Sequence, residues 1–246
     1  MEQLTKARSI EVFRARLNPK LLERAQRLAA VNDVYLERAC DDEFNFELEL
    51  VLTHMAQEAV IEGYAVAVTG PSGAGKSTMV NRVLDHCRPL RPCDDGYGNQ
   101  IEFCLRVQTP PSCTAKTLGL AILRASGYPL TRTPNEDDIW NLVRNRLRRK
   151  GHKIIFLDEF QHVVKAPSAK GMGHLTDTVK VLMQDPDWPV WLIIAGVPAL
   201  NEFVARDEWF QTDRRFGKSR STTSGRTSRR SRKSGASWKN LRRRQG

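Results

Sequence analysis

The stretch Gly70-Pro71-Ser72-Gly73-Ala74-Gly75-Lys76-Ser77 fits the pattern G-x-x-x-x-G-K-[ST] at every fixed position. It follows the apolar run Tyr64–Val68, which predicts a strand ending at Thr69. It precedes Ser77–His86, whose apolar residues recur at helical spacing. A strand, a glycine-rich turn and a helix in this order form the setting of a phosphate-binding loop. The stretch therefore predicts a nucleotide-binding chain of the α/β class.

Each fixed position of this loop has a physical role. Glycine lacks a β-carbon, so the backbone can curl and direct its N–H groups toward phosphate oxygens. The N-terminus of the following helix adds partial positive charge that faces the anion. Lys76 is predicted to reach the β- and γ-phosphates, and Ser77 to offer its hydroxyl to Mg²⁺. The predicted nucleotide-binding residues are Gly70, Pro71, Ser72, Gly73, Ala74, Gly75, Lys76, Ser77 and Thr78.

A second apolar run, Ile154–Leu157, ends in the two acids Asp158 and Glu159. A continuous apolar run of this length is typical of a strand that is buried on both faces of a parallel sheet. Its C-terminal end then lies at the sheet edge that carries the phosphate loop. We expect Asp158 to bind Mg²⁺ together with Ser77, and Glu159 to act as the catalytic base that polarises an attacking water. The run Val190–Ala195 predicts a further strand.

The formal net charge of +11 is unevenly distributed along the 246 residues. Residues 217–246 hold eleven Lys or Arg and no acid, whereas residues 1–216 hold 28 basic and 28 acidic side chains. The body is therefore neutral, and the basic character belongs to the last 30 residues. Their Ser-, Thr-, Gly- and Arg-rich composition cannot bury a core, so this tail is predicted to be disordered.

Cysteine usage and hydropathy indicate the compartment. The five cysteines include no C-x-x-C pair, which argues against a disulfide framework or a zinc finger. The N-terminus lacks the apolar core of a signal peptide, and the longest apolar run, Val190–Val197, is far too short to cross a bilayer. We therefore expect a soluble cytoplasmic protein with no membrane partner.

Helical spacing dominates the N-terminal part of the chain. Apolar residues recur at this spacing after Pro19, and a second amphipathic stretch runs over about residues 44–61. These helices could dock on the core or on a partner, and docking on the core is the simpler expectation. The predicted organisation is a helical N-terminal region over residues 1–62, a nucleotide-binding core over 63–216, and the basic tail over 217–246.

Taken together, these motifs resemble the AAA+ ATPases, and more narrowly the TniB-like transposition helpers, which are related to the MuB-type ATPases. The resemblance covers roughly residues 20–216. Its carriers are the loop Gly70–Ser77 (Walker A), the string Leu157–His162 (Walker B), the strand-turn Ile194–Pro198 and the sequence Asp213–Phe216. It implies a P-loop NTPase of the AAA+ (ASCE) type, a three-layer sandwich with a mostly parallel sheet and a helical N-terminal extension.

The resemblance also implies a function. Such a helper binds ATP and Mg²⁺, assembles on DNA as a homo-oligomer, and recruits or activates a transposase, with ATP hydrolysis stimulated by DNA. Arg215 would be the arginine finger that reaches a neighbouring subunit's γ-phosphate, the alternative being a solvated cation at a helix end. Lys165 and Lys170 are the nearest basic candidates for DNA contact. Ala195-Gly196 stands where many AAA+ proteins place a polar sensor residue.

The tail departs from the family pattern. A complete AAA+ domain needs another strand and a small helical lid after Phe216, and the composition there predicts neither. We therefore expect a truncated chain whose tail comes from an out-of-frame read, or, alternatively, a DNA-binding arm that neutralises phosphates without sequence preference. Two other functions stay open: a non-hydrolysing nucleotide-binding scaffold or defective product, and a P-loop small-molecule kinase. The sequence does not separate ATP from GTP.

Overall fold

The computed structural model describes residues 5–32, 34–58, 60, 62–130, 134–164, 169–200 and 218–220. Three helices come first: α1 (Lys6–Arg14), α2 (Pro19–Asn32) and α3 (Ala39–Met55). The later elements are, in chain order, β1 (Ala65–Thr69), α4 (Lys76–His86), β2 (Cys93–Asp94), β3 (Gln100–Ile101), β4 (Cys104–Gln108), α5 (Ala115–Ala125), α6 (Glu136–Lys150), β5 (Ile154–Asp158), α7 (Gln161–Val164), α8 (Ala169–Met183), β6 (Trp191–Gly196) and β7 (Lys218–Arg220).

Five strands form one sheet in the order β4-β5-β6-β1-β7, and every neighbouring pair is parallel. The strand that precedes the phosphate loop, β1, and the strand that ends in Asp158, β5, both flank β6. Because parallel strands end at the same edge of a sheet, the loop and the acidic pair share that edge. The mostly parallel sheet predicted from the sequence is confirmed.

Helices cover both faces of this sheet. On one face α3 and α4 pack against alternate strand residues such as Val66, Phe156 and Ile193. On the other face α5, α6 and α8 pack against the intervening residues, such as Ala67 and Ile155. Burial on both faces explains why β1, β5 and β6 are continuous apolar runs. This arrangement is the predicted three-layer sandwich.

Capping groups fix the ends of α6. The Asn135 side chain accepts a hydrogen bond from the Asp138 N–H at 2.8 Å, which satisfies one of the free donors in the first turn. Three acidic residues follow in that turn and three basic residues occupy the last one, so both ends complement the helix dipole. Gly151 ends the helix in the left-handed conformation, with φ of 77°. The helix predicted after Asn135 and ended by Gly151 is confirmed.

Gly151 and Gly127 form a natural pair for a stability test. Both have positive φ, but a β-carbon at Gly151 would lie 2.4 Å from Ile101 Cγ2, whereas the nearest atom at Gly127 is Arg146 Nη2 at 3.7 Å. We expect Gly127→Ala to cost about 1 kcal/mol, from backbone strain alone. Gly151→Ala adds a clash and should cost at least about 2 kcal/mol. Denaturant unfolding measures both, and equal losses would contradict this account.

Several element boundaries differ from those predicted, and the larger differences concern β3 with β4 and helix α3. The alternating run Ile101–Val107 is divided, because β3 pairs antiparallel with β2 while β4 joins the main sheet. Helix α3 begins at Ala39, five residues before the start of the predicted amphipathic stretch. The Asp41 carboxylate explains this early start, since it accepts the Arg38 N–H at 2.8 Å and closes the first turn.

The C-terminal expectation needs a correction at three residues. The sequence predicts no strand after Phe216, yet Lys218–Arg220 forms β7 and pairs with β1, with Val68 opposite Ser219. Backbone hydrogen bonds alone can add an edge strand, and charged residue types are common at sheet edges, so no apolar pattern marks it. The described residues after Phe216 therefore form a strand beside β1. The rest of the predicted disordered tail lies outside the described residues.

The N-terminal helices differ in how they relate to the core. Phe44, Leu48 and Val51 of α3 are buried against α4 and the sheet, so α3 docks on the core as expected. From Thr5 to Val31, every residue whose side chain is described is exposed, except the half-buried Leu17 and Leu22. Helices α1 and α2 thus form an exposed N-terminal arm, defined here as residues 5–32.

The cysteines and the apolar character of the helices are visible in the described part of the chain. All five cysteines are free thiols. Burial raises the pKa of Cys104 and of Cys113 to about 12, so both stay protonated and unreactive near neutral pH. Among the described residues, none of the helices combines the length and apolar character needed to span a bilayer.

Candidate nucleotide-binding site

The loop between β1 and α4 has the backbone shape of an anion cradle. Gly73 and Gly75 have φ of 75° and 78°, a backbone conformation that residues other than glycine rarely adopt. Gly75 caps α4, and the first turn of that helix carries no acidic residue. The Lys76 ammonium folds back over the loop and donates to the carbonyls of Gly70 at 2.9 Å and Pro71 at 2.8 Å. The loop thus combines a glycine-dependent turn, the start of a helix and one cation.

The two halves of the predicted site meet directly. The Ser77 hydroxyl at the start of α4 donates to Asp158 Oδ1 at the end of β5, at 2.9 Å. The contact reaches across β6, which lies between β5 and β1, the strand that precedes the loop and α4. Asp158 Oδ1 also accepts the Glu159 N–H at 2.9 Å, so the carboxylate is oriented from two sides. Two oxygen atoms suited to a hard cation therefore stand side by side at the phosphate loop.

Glu159 sits in a strained backbone conformation next to this pair. Its φ is 56°, in the left-handed region that residues with a β-carbon enter at a cost of about 1–3 kcal/mol. The conformation turns the chain out of β5, and α7 begins two residues later. Strain of this kind persists only where surrounding contacts hold it, and it is common at functional sites.

Gln161 supplies such a contact, a role that no sequence motif predicted for it. Its side chain is buried, its Nε2 donates to Glu159 Oε2, and its Oε1 accepts the Val197 N–H at 3.3 Å. The amide thus links the Glu159 carboxylate to the backbone just after β6. Gly196 leaves room for it, because a β-carbon there would lie 3.0 Å from Gln161 Oε1. The polar group at the end of β6 therefore comes from another segment, which the pattern of β6 alone could not reveal.

Arg38 is a second unforeseen neighbour of the loop. It lies just before α3, and its Nη1 donates to the Ala74 carbonyl at 2.8 Å. The Asp41 carboxylate accepts both the Arg38 N–H and the Tyr35 hydroxyl at 2.8 Å, which fixes the segment in place. Residues 36 positions apart meet here, and no local motif predicts such a contact.

The structure brings together most of the predicted site residues. Gly70 to Ser77 form the loop, with Asp158 and Glu159 beside it. Lys170 is exposed near the start of α8. Lys165 and Arg215 lie outside the described residues, so their predicted roles stay predictions.

The residues present fit a magnesium–nucleotide complex. Within the described part of the chain, no group of three or more His, Cys, Asp or Glu side chains could hold a metal ion by itself. Magnesium does not need one, since it is commonly bound by one or two protein oxygens, waters and the substrate phosphates. Ser77 and Asp158 are the residues that would hold it, and Lys76 would face the same phosphates.

Comparison with solved structures supports the fold assignment. The ADP form of the Aeropyrum pernix ORC2 protein matches with a TM-score of 0.54 and 19% identity, over 75% of this chain and 49% of that chain. The Aeropyrum pernix ORC1 protein in complex with DNA matches with a TM-score of 0.51 and 19% identity, over 71% of this chain and 42% of that chain. This chain thus spans about half the length of these structures or less. The fold is that of a P-loop AAA+ NTPase.

Sequence comparison gives the family. Curated proteins provide no match to this chain. A family model does match, that of the bacterial TniB protein, over residues 45–223. The match includes the phosphate loop, the acidic pair, α3 from its second turn, and β7. It covers well over half of the 246 residues, and the chain belongs to the TniB family.

Proposed function

We propose that this protein binds ATP with Mg²⁺, hydrolyses it, assembles on DNA as a homo-oligomer, and recruits or activates a transposase. The 2.9 Å contact between Ser77 and Asp158 is the observation that carries the proposal, because it joins the phosphate loop to the acidic pair. A phosphate loop alone is common to many NTPases. The loop with a carboxylate pair at the same sheet edge is suited to splitting the terminal phosphate bond.

The roles of the residues follow from their positions. Lys76 exchanges its carbonyl partners for β- and γ-phosphate oxygens, and the N–H groups at the start of α4 face the same anion. Bound between Ser77 and Asp158, Mg²⁺ would neutralise charge on those oxygens. Glu159 orients a water and accepts its proton as the water oxygen attacks the γ-phosphorus and the bond to the ADP oxygen breaks. Positioning and charge compensation therefore provide most of the rate gain.

An ATPase assay with and without duplex DNA tests this function. We expect phosphate release that duplex DNA stimulates, and DNA binding that is tighter with a non-hydrolysable ATP analogue than with ADP. A parallel series with GTP measures whether the protein prefers adenine or guanine nucleotides. Transfer of phosphate to a small acceptor instead of water would favour the alternative function of a small-molecule kinase. Nucleotide binding without turnover, with or without DNA, would favour the non-hydrolysing scaffold.

The role of Gln161 can be tested within this proposal. If it positions Glu159, Gln161→Ala should lower the turnover number about tenfold or more, while the dissociation constant for ATP stays within about twofold. In a Glu159→Gln background the same change should have no further effect on single-turnover ATP cleavage, because its target is already disabled. An equal loss in both backgrounds would instead indicate a general structural role.

Three further residue roles belong to the proposal. Arg215 is the arginine finger offered to a neighbouring subunit, and Lys165 and Lys170 are the candidates for DNA contact. Support for these roles is the resemblance in sequence, together with the exposure of Lys170 on α8. Membership of the TniB family supports the transposase as partner.

A further inference from the structure

The exposed N-terminal arm has an amphipathic surface that the described part of the chain leaves uncovered. In α2, Leu21 and Leu28 are 48% and 55% exposed and lie on one stripe, since residues seven apart share a helix face. The cations Lys20 and Arg24 border this stripe, and Arg27 beside them is paired with Glu23 at 2.6 Å. Over residues 5–32 the arm carries seven Lys or Arg and two acids. Exposed apolar side chains that lie together and are rimmed by charged residues are typical of surfaces that bind another protein.

Helix α3 offers a surface with the opposite charge. Phe46 and Leu50, four residues apart on its outer face, are 59% and 44% exposed. Asp42, Glu43 and Glu49 surround them and are exposed as well. Between Ala39 and Met55 the helix carries five acids and no Lys or Arg. We call the five exposed residues, Asp42, Glu43, Phe46, Glu49 and Leu50, the acidic face.

We propose that the arm of one protomer docks on the acidic face of a second copy of this chain, with apolar stripe against apolar stripe and cations against acids. This inference rests on the proposed function only for the assembly of copies, and it names the surfaces that join them. The apolar pairs provide the burial, and the complementary charges select the partner and the register. One arm and one acidic face per chain give a head-to-tail contact, which builds rings or filaments.

Residues 34–38, called the connector here, link the arm to α3. Their contacts favour docking of the arm on a second copy over docking on α3 of the same chain. Arg38 bonds to the Ala74 carbonyl, and Arg82 of α4 lies 4.5 Å from the centre of the Tyr35 ring. The buried Asp41 accepts hydrogen bonds from both connector residues, and Asp41 is about 140° from Phe46 around the helix at 100° per residue. The connector thus runs along another side of α3. Within the described residues, the arm and the acidic face are both exposed.

Charge reversal of exposed residues tests this docking in the full-length chain. The arm-reversed variant is Lys20→Glu with Arg24→Glu, and the face-reversed variant is Glu43→Lys with Glu49→Lys. Sedimentation velocity without DNA, with a non-hydrolysable ATP analogue, measures the mass over a range of concentrations. We expect wild type to associate and each variant to lose at least about tenfold in association constant, because like charges then oppose each other. An equimolar mixture of the two variants should recover association.

Matched controls carry the same charge change elsewhere on the surface. Lys116→Glu with Arg124→Glu on α5 controls for the arm, and Glu58→Lys with Glu102→Lys controls for the face, since all four residues are exposed. These controls should associate as wild type does, and thermal unfolding checks that every variant is folded. Association of both reversed variants at wild-type strength would overturn the inference. A monomeric wild type would do the same, as would an arm variant that loses only DNA affinity. Loss of ATP hydrolysis in every protein would instead count against the proposed enzyme.

Discussion

The Glu159→Gln variant is expected to bind ATP as wild type does and to hydrolyse it about 10²- to 10⁴-fold more slowly, the usual contribution of a general base. The substitution keeps the shape of the side chain and removes the group that accepts a proton from water. The contact between Ser77 and Asp158 does not involve this carboxylate, so the site that holds the nucleotide should survive. Single-turnover cleavage of bound ATP and a nucleotide titration measure the two effects separately.

A matched control and the contrary result sharpen this test. Glu58→Gln makes the same chemical change at an exposed position outside the site and should leave the rate unchanged. Hydrolysis by Glu159→Gln at the wild-type rate would remove Glu159 from the chemistry and leave its strained backbone without a catalytic explanation. Weaker ATP binding with a normal rate per bound nucleotide would assign Glu159 to binding instead.

Lys76→Ala is expected to weaken ATP binding at least about 30-fold, because truncating one partner of a close charge pair costs about 2–5 kcal/mol. Lys76 is a cation that bends over the phosphate loop, so its loss removes a positive charge that would face the β- and γ-phosphates. Calorimetric titration with ATP and with ADP measures the change. The loss should be smaller for ADP, which lacks the γ-phosphate.

Lys116→Ala is the corresponding control, since Lys116 is an exposed lysine on α5 away from the loop. It should bind ATP as wild type does. If Lys76→Ala also bound ATP normally, the loop would not be the phosphate site, and the proposed function would fail at its first step. Thermal unfolding without nucleotide should be similar for both variants, because the hydrogen bonds of Lys76 to two loop carbonyls are partly exposed.

The sequence predicted the parts of this molecule that local pattern controls. Periodicity located β1, β5 and α6, and the fixed glycines located the loop. The roles of Gln161 and Arg38 escaped it, because each depends on contacts between segments far apart in the chain. Strand β7 escaped for another reason: an edge strand held by backbone hydrogen bonds needs no apolar signature.

The hydrogen bond between the Ser77 hydroxyl and the Asp158 carboxylate also bears on how a cation would arrive. The Ser77 and Asp158 oxygen atoms are already 2.9 Å apart, so a cation would bind them without a large rearrangement. The Ser77 hydroxyl would then exchange its hydrogen bond to Asp158 for the cation. Without a cation, the hydrogen bond from the Ser77 hydroxyl offsets part of the cost of placing the Asp158 anion at the sheet edge. The fold itself thereby holds together two segments that lie 81 positions apart in the chain.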